Sequence, residues 1–207
     1  MRRRPTRRPA RCGGVFYLRG MAFTPCADPA PADWIVSSEL PWQRLVGFGP
    51  AGFPSYARLR FLPDPVFEGQ SEADVEAEGP SEDERLRMLF DVLAAHTRTP
   101  DDCYFCLWDG YGDIPDGGAG AARVVVPARS YLLFRGSLTE AGGWGAGPMS
   151  PGPALAWPAD RAWCVANDVD PHWAGIGAAS LAVAELVGHP HLDVTPADPT
   201  RRPPVYL

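Results

Sequence analysis

A chain of 207 residues with 45% apolar and 21% charged content has room for one well-buried core, which excludes wholesale disorder. Its 22 Gly and 24 Pro favour short elements and many turns over a helix bundle. Residues 1–20 hold seven of the 19 basic residues and no acid. The other twelve bases therefore face 25 Asp and Glu, and residues 21–207 carry a formal −13, a charge that repels nucleic acid and membrane surfaces and favours basic partners.

From the N-terminus, R-R-R-P-T-R-R-P-A-R has two readings: a tail that grips phosphates through counterion release, or residues ahead of a true start at Met21. Short basic arms without interleaved aromatics are weak nucleic-acid binders, so a mis-called start or an inert tail is expected for residues 1–20. Val15–Leu18 is too short for the apolar stretch of a secretory signal, and no membrane-spanning run follows. Cys12, Cys26, Cys103, Cys106 and Cys164 are odd in number and lack framework spacing, so reduced thiols in the cytoplasm are expected.

Residues 21–32 read as an extended lead-in, Asp33–Ser37 as a short strand and Pro41–Ser55 as an aromatic loop held by Gly and Pro. Tyr56–Leu62 alternates, with Ala57, Leu59 and Phe61 on one face and Arg58 and Arg60 on the other, as a half-buried strand does. Asp64–Glu84 contains nine carboxylates and no base, and reads as solvated loop. Its end is a capping box, Ser81 with Glu84, which opens an amphipathic helix through Leu86, Leu89, Phe90 and Leu93 to about His96. Cys103–Trp108 is apolar on both alternating faces, as a central covered strand would be. Arg123–Val126, Tyr131–Phe134, Ala154–Trp157 and Arg161–Val169 read as further strands, with loops at 114–122 and 140–153. Ala178–Val187 is a second helix, closed by Gly188 with Pro190 beyond. These elements predict a single α+β domain over 21–207: a mainly antiparallel sheet of five to seven strands, meandering through its later strands, with two main helices at about 81–96 and 178–187.

Chemistry concentrates in W-P-A-D-R-A-W-C-V-A-N-D-V-D-P-H-W, residues 157–173. There Asp168, Asp170 and His172 stand at i, i+2 and i+4 and share one side if extended, as a metal site or an acid/base pair needs. Asp109 and Asp113, leaving another strand end, are the candidates to join them. Against this, Asp-Pro steps are turn chemistry, and no H-E-x-x-H or EF-hand spacing supports a metal. Cys103 and Cys106 have C-x-x-C spacing, but residues three apart on a strand point to opposite faces, so core thiols are expected. His189-Pro-His191 reads as a polar turn, Asp160-Arg161 as a salt-bridged corner, and Trp163 and Trp173 as rings packed on the sheet. There is no G-x-S-x-G, no Walker loop, and G-F-G-P-A-G-F departs from a dinucleotide fingerprint by one position and by Pro50. No cofactor and no metal is expected.

The segments L-P-W-Q-R-L-V-G-F-G-P-A-G-F-P-S-Y-A-R-L-R-F-L-P-D-P, C-Y-F-C-L-W-D-G-Y-G and W-P-A-D-R-A-W-C-V-A-N-D-V-D-P-H-W-A-G-I-G resemble hypothetical proteins of high-GC bacteria over about residues 33–198. That resemblance implies no activity, ligand or catalytic residue. An acidic α+β domain with a strand leading into W-D-G is also similar, in architecture, to immunity proteins of the SMI1/KNR4 type. The expected function is a non-enzymatic, immunity-like interaction domain that meets a basic protein through residues 64–84, with apolar anchors from the aromatic loop 41–56. The alternative is a small metal-dependent hydrolase using Asp168, Asp170 and His172 with Asp109 nearby. Nucleic-acid binding is expected only through the Arg-rich arm.

Overall fold

The structure, a computed structural model, describes residues 16–18, 21–110, 118–141 and 152–207. Its strands are β1 (Phe16–Leu18), β2 (Met21–Pro25), β3 (Ser55–Arg60), β4 (Cys103–Trp108), β5 (Arg123–Val126), β6 (Arg129–Gly136), β7 (Leu155–Pro158), β8 (Cys164–Ala166), β9 (Trp173–Ala178) and β10 (Val194–Pro196). They form one sheet in the order β1-β2-β6-β4-β7-β8-β9-β3-β10, with β5 beside β6 and each pairing antiparallel. The fold is α+β with a mainly antiparallel sheet, but its ten strands exceed the expected five to seven. Four strands were not expected, β1, β2, β9 and β10, while the strand expected at Asp33–Ser37 is absent. β9 (W-A-G-I-G-A) is interrupted by two glycines, and β1, β2 and β10 are short and lack alternating apolar patterning. They gain their backbone hydrogen bonds from neighbours rather than from a pattern of their own.

β4 sits mid-sheet and is covered on both faces, as its composition predicted. Cys103, Phe105 and Leu107 enter one apolar cluster and Cys106 the other, with Tyr104 and Trp108 packed at that second cluster's border. The two thiols of the C-x-x-C thus lie on opposite sides of the sheet. β7, β8 and β9 follow β4 as a meander, but the β5–β6 hairpin folds to β4's other side. β6 is long enough to pair with β4 along one edge while sharing its outer edge between β5 and β2.

The first cluster is roofed by α3 (Glu82–Ala94) and α5 (Ser180–Val187), the two predicted helices. α3 begins at the expected capping box, the Glu84 amide donating to Ser81 Oγ at 3.4 Å and the Ser81 amide to Glu84 Oε2 at 2.8 Å. Its buried stripe is Leu86, Leu89, Phe90 and Leu93, and Trp163 Nε1 donates to the Leu93 carbonyl at 3.0 Å, tying α3 to the approach to β8. A short α4 (Leu138–Ala141) follows β6.

The second cluster is covered by elements that the sequence reading assigned differently. Asp33–Val36 is helix (α1), not strand: the 3-10 turn at Ala30–Ala32 runs into it, and its four residues are too few for periodicity to separate helix from strand. Trp42–Phe48 is helix (α2), not loop, with Pro41 at its N-cap and Gly49 at φ 74° ending it. Leu45, Val46 and Phe48 are buried, so the aromatic segment 41–56 packs inward rather than offering anchors to a partner. α2 lies close on β9 because that strand carries Gly175, where a Cβ would collide with the Gly47 carbonyl oxygen. The predicted strand 161–169 shrinks to β8, since Arg161 at φ 55° breaks its start and Asn167–Asp168 leave its end.

Candidate functional site

The acidic turn between β8 and β9 is where sequence placed the chemistry, and the structure divides its members between two arginine-centred clusters, with Asp109 in a third. Asp168 is buried at the end of β8 and accepts from Arg129 Nε and Nη2 at 2.9 and 2.8 Å. The same guanidinium reaches exposed Asp170 at 2.7 Å and lies 5.4 Å over the Trp42 ring. Arg129 arrives there from the tight β5–β6 turn, where Ala128 takes φ 63°. Its hydrogen bonds to Asp168 raise the guanidinium's pKa further, so the cation is permanent.

His172 belongs to a different cluster. Its Nε2 stands 3.3 Å from Asp64 Oδ1, and the ring is nearly inaccessible. Asp64 in turn is gripped by both nitrogens of the Arg58 fork at 2.7 and 2.9 Å and by Arg60 at 3.2 Å. Burial pushes the Asp64 carboxyl up, but the Arg58 bonds outweigh it and hold the group at about 2. Burial likewise lowers His172 below its ordinary value against the pull of Asp64, so the imidazole is neutral at neutral pH. Asp109 is apart from both, paired with Arg123 and within 3.4 Å of the Ser130 hydroxyl. Asp113 lies outside the described residues. Among the described residues no group of three or more His, Cys, Asp or Glu side chains is placed to hold a metal ion.

The Arg58–Asp64–His172 cluster was missed in the sequence, where Asp64 reads as the first residue of a solvated loop. The signal was present: Arg58 and Arg60, side by side on one strand face, require an anion between them, and Asp64 is the first carboxylate downstream. Asp160 was expected to pair with its neighbour Arg161. Instead it accepts from the Thr97 hydroxyl at 2.8 Å and the Arg98 amide at 2.9 Å, while Arg161 turns to lie 5.2 Å over Trp34. His191 donates its amide to His189 Nδ1 at 3.3 Å, the expected polar turn. Burial pushes the Cys103 and Cys164 thiols up to about 12 and Cys106 well above its ordinary value, which leaves them protonated and unreactive.

A shallow groove of about 740 Å³ lies between residues 24–28 and 135–137. Its polar side chains have partners in or beside it: Arg135 holds Asp102 at 2.5 and 2.8 Å, Ser137 donates to Asp101 at 3.1 Å, and Asp28 accepts the Ala30 amide at 3.0 Å.

The remaining charged feature is the strap from Asp64 to Glu84. Glu68, Glu72, Asp74, Glu76 and Glu78 are exposed. Three nearby bases are engaged elsewhere: Arg58 by Asp64, Arg60 by Asp64 and Asp193, and Arg85 by the carbonyls of Pro80, Arg60, Phe61 and Glu78; Arg87 on α3 is exposed. Among the described residues, this row of carboxylates has no ion-pair partner.

No family model matches the chain, and no solved structure matches it. Among the described residues, no helix is long and apolar enough to cross a membrane. Galactofuranosyltransferase GlfT1 of Mycobacterium tuberculosis, from two strains, is 36% identical to this chain over 102 residues, 49% of this chain and 32% of the enzyme. The chain spans about a third of the length of the curated relatives it matches.

Proposed function

We propose that this chain is a non-enzymatic interaction domain of the cytoplasm whose acidic strap binds a basic protein. The observation that carries this reading is the one-sided charge of residues 68–78: five exposed carboxylates without an ion pair among the described residues, while Arg58, Arg60 and Arg85 are engaged by Asp64, Asp193 and backbone carbonyls. Such a surface accelerates encounter with a basic partner and repels acidic ones. The resemblance read from the sequence, an acidic α+β domain with a strand leading into W-D-G, suggests an immunity-like role of the SMI1/KNR4 type as the specific form of the proposal, with a basic toxin as the partner. The metal-dependent hydrolase has less support, because Arg129 holds both Asp168 and Asp170 while His172 is turned to Asp64. Galactofuranosyl transfer, the activity for which the curated relatives are named, is not carried over from a match to 32% of their length.

The test uses the whole chain and a variant with Glu72→Gln, Asp74→Asn, Glu76→Gln and Glu78→Gln as baits in an extract of the source cells. A basic protein should be retained by the native chain at low ionic strength. It should be released as salt shortens the screening length from ~10 Å to ~3 Å, and the variant should not retain it. Equal retention by the variant would remove the reading. So would stoichiometric metal in the purified protein that is lost in His172→Ala.

A further inference from the structure

We infer that the ledge formed by residues 65–70 and 205–207 is a docking surface for a basic segment of another protein that carries an aliphatic or aromatic anchor. This rests on the acidic-strap reading and adds the place and the chemistry of the contact.

Val66 is 84% exposed, Phe67 60%, Val205 44% and Leu207 84%. These apolar side chains come from two distant segments that the fold draws together. The Leu207 amide donates to the Gln70 carbonyl at 3.0 Å, the Leu207 side chain lies against Gly69, and the Tyr206 hydroxyl donates to the Pro63 carbonyl. Gln70 closes the loop from within, its Oε1 accepting the Val66 amide at 2.8 Å.

The ledge is held from beneath. The Tyr206 ring meets His172 edge-on at 4.7 Å, and His172 leans on Asp64, which Arg58 grips through both nitrogens. A partner therefore meets a surface already ordered and avoids part of the entropic cost of binding.

The rim fixes the occupant's charge. Glu68 stands within the ledge, and Glu72, Asp74, Glu76 and Glu78 continue from it, all exposed. Covering Phe67 and Val66 brings the occupant against Glu68, with Glu72 near Tyr206, and an apolar or acidic occupant would strip their water without replacing it. A segment with arginines or lysines around an apolar anchor supplies the missing cations and fills the ledge at once.

The experiment measures binding of two short arginine-rich peptides of equal charge to the full chain, one carrying two leucines and the other serines in their place. The leucine peptide should bind about tenfold more tightly, a difference that Phe67→Ser or Leu207→Ser removes. Both side chains are exposed, so both variants should keep the native melting temperature. The four-site neutralised variant should lose both peptides. Equal binding of the two peptides to the native chain would overturn the docking ledge and leave the acidic strap standing. No binding of either peptide would overturn both. Affinity that rises when Arg2, Arg3, Arg4, Arg7, Arg8 and Arg11 are replaced by Gln would identify the chain's own arm as the occupant and overturn a separate partner.

Discussion

Asp64→Asn tests whether one carboxylate fastens the acidic strap to β3. In the folded chain burial pushes this carboxyl up, but Arg58 holds it down more strongly, to about 2 from an ordinary 3.8. A tenfold change in proton affinity is worth ~1.4 kcal/mol, so linkage over this interval gives roughly 2.5 kcal/mol before screening. Water reaches 23% of the Asp64 side chain, and screening there leaves about 1–2 kcal/mol. The folded pKa is the lower one, so this stabilisation is complete above about pH 4 and is lost as pH falls through about 2. The Asn also leaves the nearly buried Arg58 without its counter-charge, which brings the expected loss at neutral pH to about 2–4 kcal/mol. Urea unfolding followed by tryptophan fluorescence reads this directly at about pH 7 and again near pH 2.5. The gap between native chain and variant should narrow at the lower pH. A gap of equal size at both values, or none at neutral pH, would refute the reasoning.

Arg129→Met should destabilise by about 3 kcal/mol, because it strands buried Asp168, whereas exposed Asp170→Asn should cost under about 0.5 kcal/mol; thermal melting of the pair separates the two. In Gly175→Ala the new methyl meets the Gly47 carbonyl, so α2 must lift from β9; a loss of roughly 2–4 kcal/mol or insoluble expression is expected, and a native melting curve would contradict it. Ellman's reagent at mildly alkaline pH should leave Cys103, Cys106 and Cys164 unlabelled until denaturant is added, while Cys26 reacts; rapid labelling of any of the three would mean that their burial is not as described.

What the sequence disclosed follows how far each signal reaches along the chain. α3 was legible because its cap, its acids and its apolar stripe all lie within thirteen residues. β4 was legible because a strand covered twice needs apolar residues at every position. α2 carried helical spacing at Trp42, Leu45 and Val46, but the Gly and Pro around it masked the pattern. β2 and β10 could not be read at all, since their stability comes from strands elsewhere. At the acidic turn, spacing brought Asp168, Asp170 and His172 to one side on paper. The partners that separate them, Arg129 and Asp64, lie 39 and 108 residues away. Charge pairing over such separations leaves no local trace.

The place of β3 in the sheet also constrains how the chain is made. Its strand partners are β9 and β10, so residues 55–60 find neither until more than a hundred further residues have been synthesised. During that interval Ala57 and Leu59 lack the strands that will flank them, and their edge is open to other nascent chains. Pairing of β3 therefore requires closure of a long loop, which slows the completion of this side of the sheet. Variants that weaken the β3–β9 seam should reveal themselves first as aggregation during synthesis, before any change in the finished molecule's melting point.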